Sequence, residues 1–153
     1  MLLTALTLCH RADAAETDVE VAQRFVVALN QGKVGEMVAM SACPFVFRNQ
    51  EWESAKDGSG FVRGKADDKT FAKKKELSEF LAKLVEKAKI ESETAAKSPP
   101  PKEDLLKDNL KGSPTSWRRL NLFVFFRGMG DVEHVAIVGV DPNRHRVRGL
   151  YLN

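Results

Sequence analysis

The stretch that decides the fold is Trp117-Arg118-Arg119-Leu120-Asn121-Leu122-Phe123-Val124-Phe125-Phe126-Arg127, followed by Gly128-Met129-Gly130-Asp131, then Val132-Glu133-His134-Val135-Ala136-Ile137-Val138-Gly139-Val140-Asp141, and finally Arg146-Val147-Arg148-Gly149-Leu150-Tyr151-Leu152 after the turn Asp141-Pro142-Asn143-Arg144. The long runs are rich in β-branched and aromatic residues, and turn-forming residues separate them. They read as three strands in direct succession. Connections this short join strands that lie antiparallel, so the stretch predicts a meander. Helical pattern dominates what comes before it. Helices followed by a run of strands predict an α+β domain.

The strand faces carry a second message. Leu120, Leu122, Val124 and Phe126 point one way, and Asn121, Phe123, Phe125 and Arg127 the other. Val135 and Ile137 likewise alternate with Ala136 and Val138. Both faces are apolar at mid-strand. One can cover helices; the other needs either a sheet curled over itself or a second subunit. The second alternative is preferred: a homodimer with Phe123 and Phe125, or their opposite-facing neighbours, at the interface.

Working towards the N-terminus, Lys102–Lys111 can form a short helix with Leu105, Leu106 and Leu110. Ser98-Pro99-Pro100-Pro101 cannot continue a helix and favours an extended segment, so residues 91–116 read as a proline-containing loop insertion. The longest helix is predicted over Lys69–Ile90, capped by Asp67, Asp68 or Thr70. Leu77, Phe80, Leu81, Leu84, Val85 and Ala88 fall on its buried stripe, and Lys73-Lys74-Lys75 on its solvated side. Phe45–Trp52 reads as a strand, with Phe61-Val62-Arg63 returning after the loop Lys56–Gly60 to make a hairpin. Two helices open the domain. Thr17 or Asp18 caps the first, whose apolar positions are Val19, Ala22, Phe25, Val26 and Leu29. Gly32 suits its left-handed C-terminal cap, and Val34–Ser41 follows.

Composition bounds the class. With 153 residues, the chain is one domain in expectation, able to bury a core. Its net charge of +3 is mild and its charges of both signs are mixed, which argues against a nucleic-acid partner. Residues 1–15 read as a signal segment. Leu2–Leu8 is a short apolar core and Ala12-Asp13-Ala14 a small-x-small cleavage site, although no Lys or Arg precedes them. That predicts cleavage near Ala14 or Ala15, a secreted or periplasmic protein over residues 16–153, and no membrane association after processing. Cleavage leaves Cys43 without a disulfide partner, and its place beside Pro44 reads as a buried structural thiol.

The order of elements resembles that of NTF2-like proteins, the α+β cone that includes SnoaL-like cyclases and ketosteroid isomerases. The residues that carry the likeness are Ala28-Leu29-Asn30-Gln31-Gly32-Lys33 through Ala42-Cys43-Pro44-Phe45-Val46-Phe47, and Val62-Arg63-Gly64-Lys65 ahead of Phe71–Leu84. Residues 91–116 exceed the usual connection. The resemblance implies a curved antiparallel sheet with the N-terminal helices and the long helix on its concave face, and a pocket between them. Isomerase-type members use an aspartate base with tyrosine and a protonated acid as oxyanion donors. Here the first helix has no Tyr and the first strand no Asp, so no catalytic residue carries over.

The individual candidates are few. Arg48 and Trp52 share a strand face with Val46 and Gln50, and a cation beside an aromatic suits an acidic or aromatic ligand. His134 shares a face with Ala136 and Val138 and has the chemistry of a general base. Arg48, Trp52 and His134 are therefore the predicted polar lining of a ligand pocket. Glu51 and Glu53 flank Trp52 as a carboxylate pair. Arg144-His145-Arg146 and Arg148 read as a charged, solvated edge. His10, His134 and His145 have no metal-ligand spacing, and no glycine-rich phosphate loop is present, so neither metal nor cofactor is expected. The functional expectation is an exported, non-catalytic module that binds a small hydrophobic ligand or a protein. The alternative is a SnoaL-like isomerase, cyclase or dehydratase acting on a small hydrophobic substrate, with His134 or Glu51 as base.

Overall fold

The structure, a computed structural model, describes residues 15–153. The expected signal segment falls almost wholly on residues 1–14, outside the described residues. Helix α1 spans Asp18–Asn30, and Thr17 caps it through a capping box: the Thr17 amide donates to Glu20 Oε2 at 2.7 Å, and the Thr17 hydroxyl accepts from the Glu20 amide at 3.4 Å. Gly32, at φ 69°, turns the chain into α2, Val34–Met40. Strands β1, Ser41–Ser54, and β2, Phe61–Phe71, form the first hairpin. Helix α3 is Lys74–Leu84 and α4 is Lys102–Asp108. A 3₁₀ turn at Thr115–Arg119 leads into β3, Asn121–Met129, β4, Glu133–Asp141, and β5, Arg146–Leu152.

The class is α+β, as the order of elements predicts. The five-stranded sheet runs β2-β1-β5-β4-β3, curved and unclosed. The closing meander is present, with β3–β4 and β4–β5 both antiparallel. At one joint the sheet is parallel: β5 inserts beside β1, with Phe47 opposite Leu150. Helices α1, α2 and α3 lie on one face. Phe25, Leu29, Met37, Phe45, Leu77, Leu81, Phe125 and Leu150 fill the space beneath them. Phe47 and Phe80 meet edge-on with ring centres 4.7 Å apart.

Three expectations need correcting. The helix predicted over Lys69–Ile90 begins only at Lys74 and ends at Leu84, because Phe61–Phe71 is one long strand paired to β1 as far as Phe45–Phe71. Asp67, Asp68 and Thr70 look like helix caps in isolation, but fourteen residues of β1 supply a ladder that overrides that local preference. Trp117 belongs to the 3₁₀ turn and not to a strand. Finally, Phe123 and Phe125 do not form an outer apolar face. Phe125 is fully buried beneath the helices, with Phe123 packed beside it.

The opposite sheet face is covered from within the chain. The insertion folds back, and Leu105, Leu110, Trp117 and Leu120 pack on Val46, Val124, Ile137 and Tyr151. Gly139 and Gly149 stand opposite each other on β4 and β5 and leave a slot for the indole. A Cβ on Gly149 would lie 2.6 Å from the Trp117 ring, and one on Gly139 2.7 Å from Leu120. The apolar second face that suggested a dimer is thus satisfied internally.

One side chain ties a loop to this frame. Asn30 grips the backbone of Ile90 with both amide atoms, donating to its carbonyl at 2.8 Å and accepting from its N–H at 2.9 Å. Cys43 is a free, half-buried thiol packed against the helical core. The sheet's outer edges are protected. Amides of Glu91, Ser92 and Ala96 bond to β3 carbonyls, and β2 carries Arg63, Lys65, Asp67, Asp68 and Lys69. The expected basic stripe is more engaged than a solvated edge: His145 Nδ1 lies 2.7 Å from Asp18 Oδ1, and Arg148 reaches Asp141 at 3.1 Å.

Asp141 supports a pH prediction. Burial raises its carboxyl pKa, but the Asn143 amide, the Arg148 guanidinium and the Arg144 amide outweigh that and hold it below the usual value of 3.8. A depressed folded-state value stabilises the fold above the unfolded-state pKa, and this contribution disappears as pH falls through the folded-state one. Acid unfolding followed by circular dichroism below pH 4 should therefore show a shallower pH slope in Asp141→Asn than in the parent chain. An unchanged slope counts against this assignment.

Candidate functional site

The predicted lining residues separate into two places. Arg48 points onto the second sheet face and is 3% exposed. Its Nε and Nη2 donate to the two Asp68 carboxylate oxygens at 2.7 and 2.6 Å, and Nη1 donates to the Lys111 carbonyl at 2.6 Å. This bidentate pair clamps the insertion to the β1–β2 hairpin. Tyr151 lies nearby with Asn109 Nδ2 donating to its hydroxyl at 3.4 Å, and burial pushes the phenol pKa up. Arg48 is thus fully engaged and lies outside the cleft that holds the other two candidates.

Trp52 and His134 do come together. They line a cleft of about 310 Å³ with Asn49, Gln50, Glu51, Phe61, Asp131, Val132 and Asn153. The cleft lies past the last pairs of β5. The last β1–β5 pair is Asn49–Leu152, and the last β4–β5 pair is Ala136–Leu152. Beyond them the β1–β2 hairpin continues to its loop and the β3–β4 hairpin to its turn, with no strand between them among the described residues. The cleft is this gap at the end of the sheet.

Its walls are set locally. A bulge places Gly64 and Lys65 of β2 opposite Glu51, and Gln50 Nε2 fills it by donating to the Glu51, Gly64 and Lys65 carbonyls at 2.9, 3.2 and 3.4 Å. Asn153 closes the floor. Its side-chain oxygen accepts from the Val135 amide, and its own amide donates to the Val135 carbonyl at 3.2 Å. Arg127 Nη1 donates to the Asn153 carbonyl at 2.6 Å, and partial burial lowers the pKa of this guanidinium. His134 sits over Gly130, where a Cβ would come within 3.1 Å of Nε2. The Trp52 indole N–H is buried with no acceptor, a polar atom that ordinarily has a partner.

The charged side chains of the lining are the carboxylates Glu51 and Asp131, with His134 the remaining titratable group. Neither lysine nor arginine contributes. Phe61, Asp131 and Asn153 escaped the sequence reading. Their meeting follows only once β5 is known to lie between β1 and β4, a pairing that no local run shows. Among the described residues, no group of three or more His, Cys, Asp or Glu side chains is arranged to hold a metal, and no helix is long and apolar enough to cross a membrane.

No family model and no curated protein matches this sequence. Among solved structures, the chain is similar to an NTF2-like protein of unknown function from Cytophaga hutchinsonii, with 11% identity over 92% of each chain and a TM-score of 0.46.

Proposed function

We propose that this chain is a non-catalytic binding module that takes its ligand at the sheet-end cleft, between Trp52 and His134. The observation that carries the reading is the filled interior. The space under the helices, where the resemblance leads one to expect a pocket, is occupied by Phe25, Phe45, Phe47 and Phe125. The cleft instead combines an aromatic wall, Trp52 and Phe61, with a few polar groups, the usual make-up of a recognition site. Export through residues 1–15 is part of the same proposal, and mass spectrometry of the protein from its host tests it through a mature N-terminus near Ala15 or Glu16.

A second reading draws on the same side chains. Glu51 and His134 share the cleft and are the acid–base pair that an isomerase, cyclase or dehydratase would use. It stands second because Glu51 and Asp131 are exposed, whereas such chemistry gains most where water is excluded. The test is NMR titration of ¹⁵N-labelled protein with indole, benzoate and benzylamine. Shifts are expected at Asn49–Trp52, Phe61, Asp131–His134 and Asn153 for at least one probe, with affinity falling severalfold in Trp52→Ala. Shifts centred on Phe25, Phe47 and Phe125, or no shifts at all, overturn the proposal.

A further inference from the structure

The insertion that covers the second sheet face forms a cleft of its own, of about 440 Å³. One wall is α4 and the turn after it, with Leu106 and Leu110; the other is the 3₁₀ turn, with Pro114 and Trp117. The fold itself holds these walls in place. Lys102 Nζ donates to the Arg118 carbonyl at 2.8 Å and joins them directly. Gly112, at φ 74°, reverses the chain between them, and the Ser113 amide donates to the Leu110 carbonyl at 3.0 Å. The Arg48 bond to the Lys111 carbonyl fixes the turn to the sheet.

We propose that this cleft is a second binding site, for an amphiphilic carboxylate: an apolar body with one anionic head. It is independent of the sheet-end cleft. Three observations carry it. First, Leu106, Leu110, Pro114 and Trp117 give the cleft an apolar floor, which suits an alkyl or aryl body. Second, the rim is cationic. Lys107, Lys111 and Arg118 line the cleft, are exposed, and form no ion pair among the described residues. Glu103 is the one carboxylate of the lining; Asp104 and Asp108 lie outside it, Asp108 3.9 Å from Arg63. Three cations against one carboxylate favour an anion. Third, Trp117 offers a donor. Its Cζ3 and Cη2 atoms fill the slot over Gly149, so the pyrrole side of the ring, which carries the N–H, faces away from the sheet. The buried polar atoms without a partner are Trp52 Nε1 and Ser116 Oγ. The Trp117 N–H has no protein acceptor either, among the described residues, but it is not one of those buried atoms, so it reaches the cleft that Trp117 lines. A carboxylate oxygen supplies its acceptor. An uncharged apolar molecule would leave that N–H unpaired, and a bare anion would leave the floor in water; an amphiphilic carboxylate satisfies both.

The test is NMR titration of the full ¹⁵N-labelled chain with octanoate, 3-phenylpropionate, acetate and octylammonium. Octanoate or 3-phenylpropionate should shift the Trp117 indole N–H and the amides of Leu106, Lys107 and Lys111–Ser113. The tighter of the two identifies the body as alkyl or aryl. Acetate, which lacks the body, and octylammonium, which reverses the charge, should each bind at least fivefold more weakly than octanoate. The variant Lys107→Gln/Lys111→Gln/Arg118→Gln changes exposed side chains only, so its spectrum away from the insertion should be unaltered. Its affinity for the carboxylates should fall at least threefold, and the parent's should fall as salt is raised from 50 to 500 mM. Octylammonium binding as tightly as octanoate overturns the proposal, because the head is then not read; acetate binding as tightly overturns it, because the floor is not. Unchanged carboxylate affinity in the triple variant overturns it too. If both carboxylates shift only Asn49–Trp52 and Asp131–His134, the second site falls and the sheet-end cleft stands. If neither shifts the insertion, this site falls whatever indole and benzylamine do at the sheet-end cleft.

Discussion

Trp117→Ala is expected to lower the unfolding free energy by about 3–5 kcal/mol, the range for emptying a fully packed aromatic site. Trp117 is 1% exposed and forms the centre of the layer that covers the second sheet face. Its ring seats on paired glycines, so no neighbouring side chain is positioned to fill the vacancy. Guanidinium unfolding followed by circular dichroism measures the loss, and a change below about 1 kcal/mol would mean that the insertion does not depend on this indole. The slot gives an independent check. Gly149→Ala alone should destabilise, because its Cβ would meet the ring at 2.6 Å. In the Trp117→Ala background the same change should cost almost nothing. Simple additivity of the two substitutions would refute the lock-and-slot account.

Asp68→Ala is the second large effect. It leaves the Arg48 guanidinium, 3% exposed, with the Lys111 carbonyl as its remaining partner. Removing one member of a buried ion pair costs roughly 3–5 kcal/mol, because the other charge stays desolvated and uncompensated. The lower end applies here, since the Asp68 side chain is 34% exposed and water can replace part of what it offered. The double variant Arg48→Met/Asp68→Ala should be more stable than Asp68→Ala alone, because methionine fills much of the volume without a charge. A double variant at least as unstable as the single one would show that the charge is not the source of the loss. Hydrogen exchange localises the effect. Amides of residues 102–120 should lose protection in Asp68→Ala before those of α1 do, since Arg48 links the insertion to β1.

What the sequence determined alone was the local layer of this protein. Thr17 followed by Glu20 specifies a helix start, Gly32 a left-handed exit, and Leu77 and Leu81 a buried stripe, because each depends on neighbours within about one helical turn. The alternating apolar runs after Leu120 specify strands for the same reason, and short turns make them a meander. Tertiary structure decided everything that depends on which strand lies beside which. Asp67 and Asp68 read as helix caps until β1 pairs with them. Arg48 reads as a pocket cation until Asp68 and Lys111 meet it across twenty and sixty-three residues of chain. Phe125 reads as an interface until α1 packs over β3, and Leu122 and Val124 until residues 102–120 return to the other face. The cleft belongs wholly to this second layer. Trp52 and His134 were visible as candidate residues, but their meeting depends on β5 entering parallel to β1, between β1 and β4. That is a long-range pairing choice, set by how the whole apolar surface is best buried, and no local run of residues encodes it.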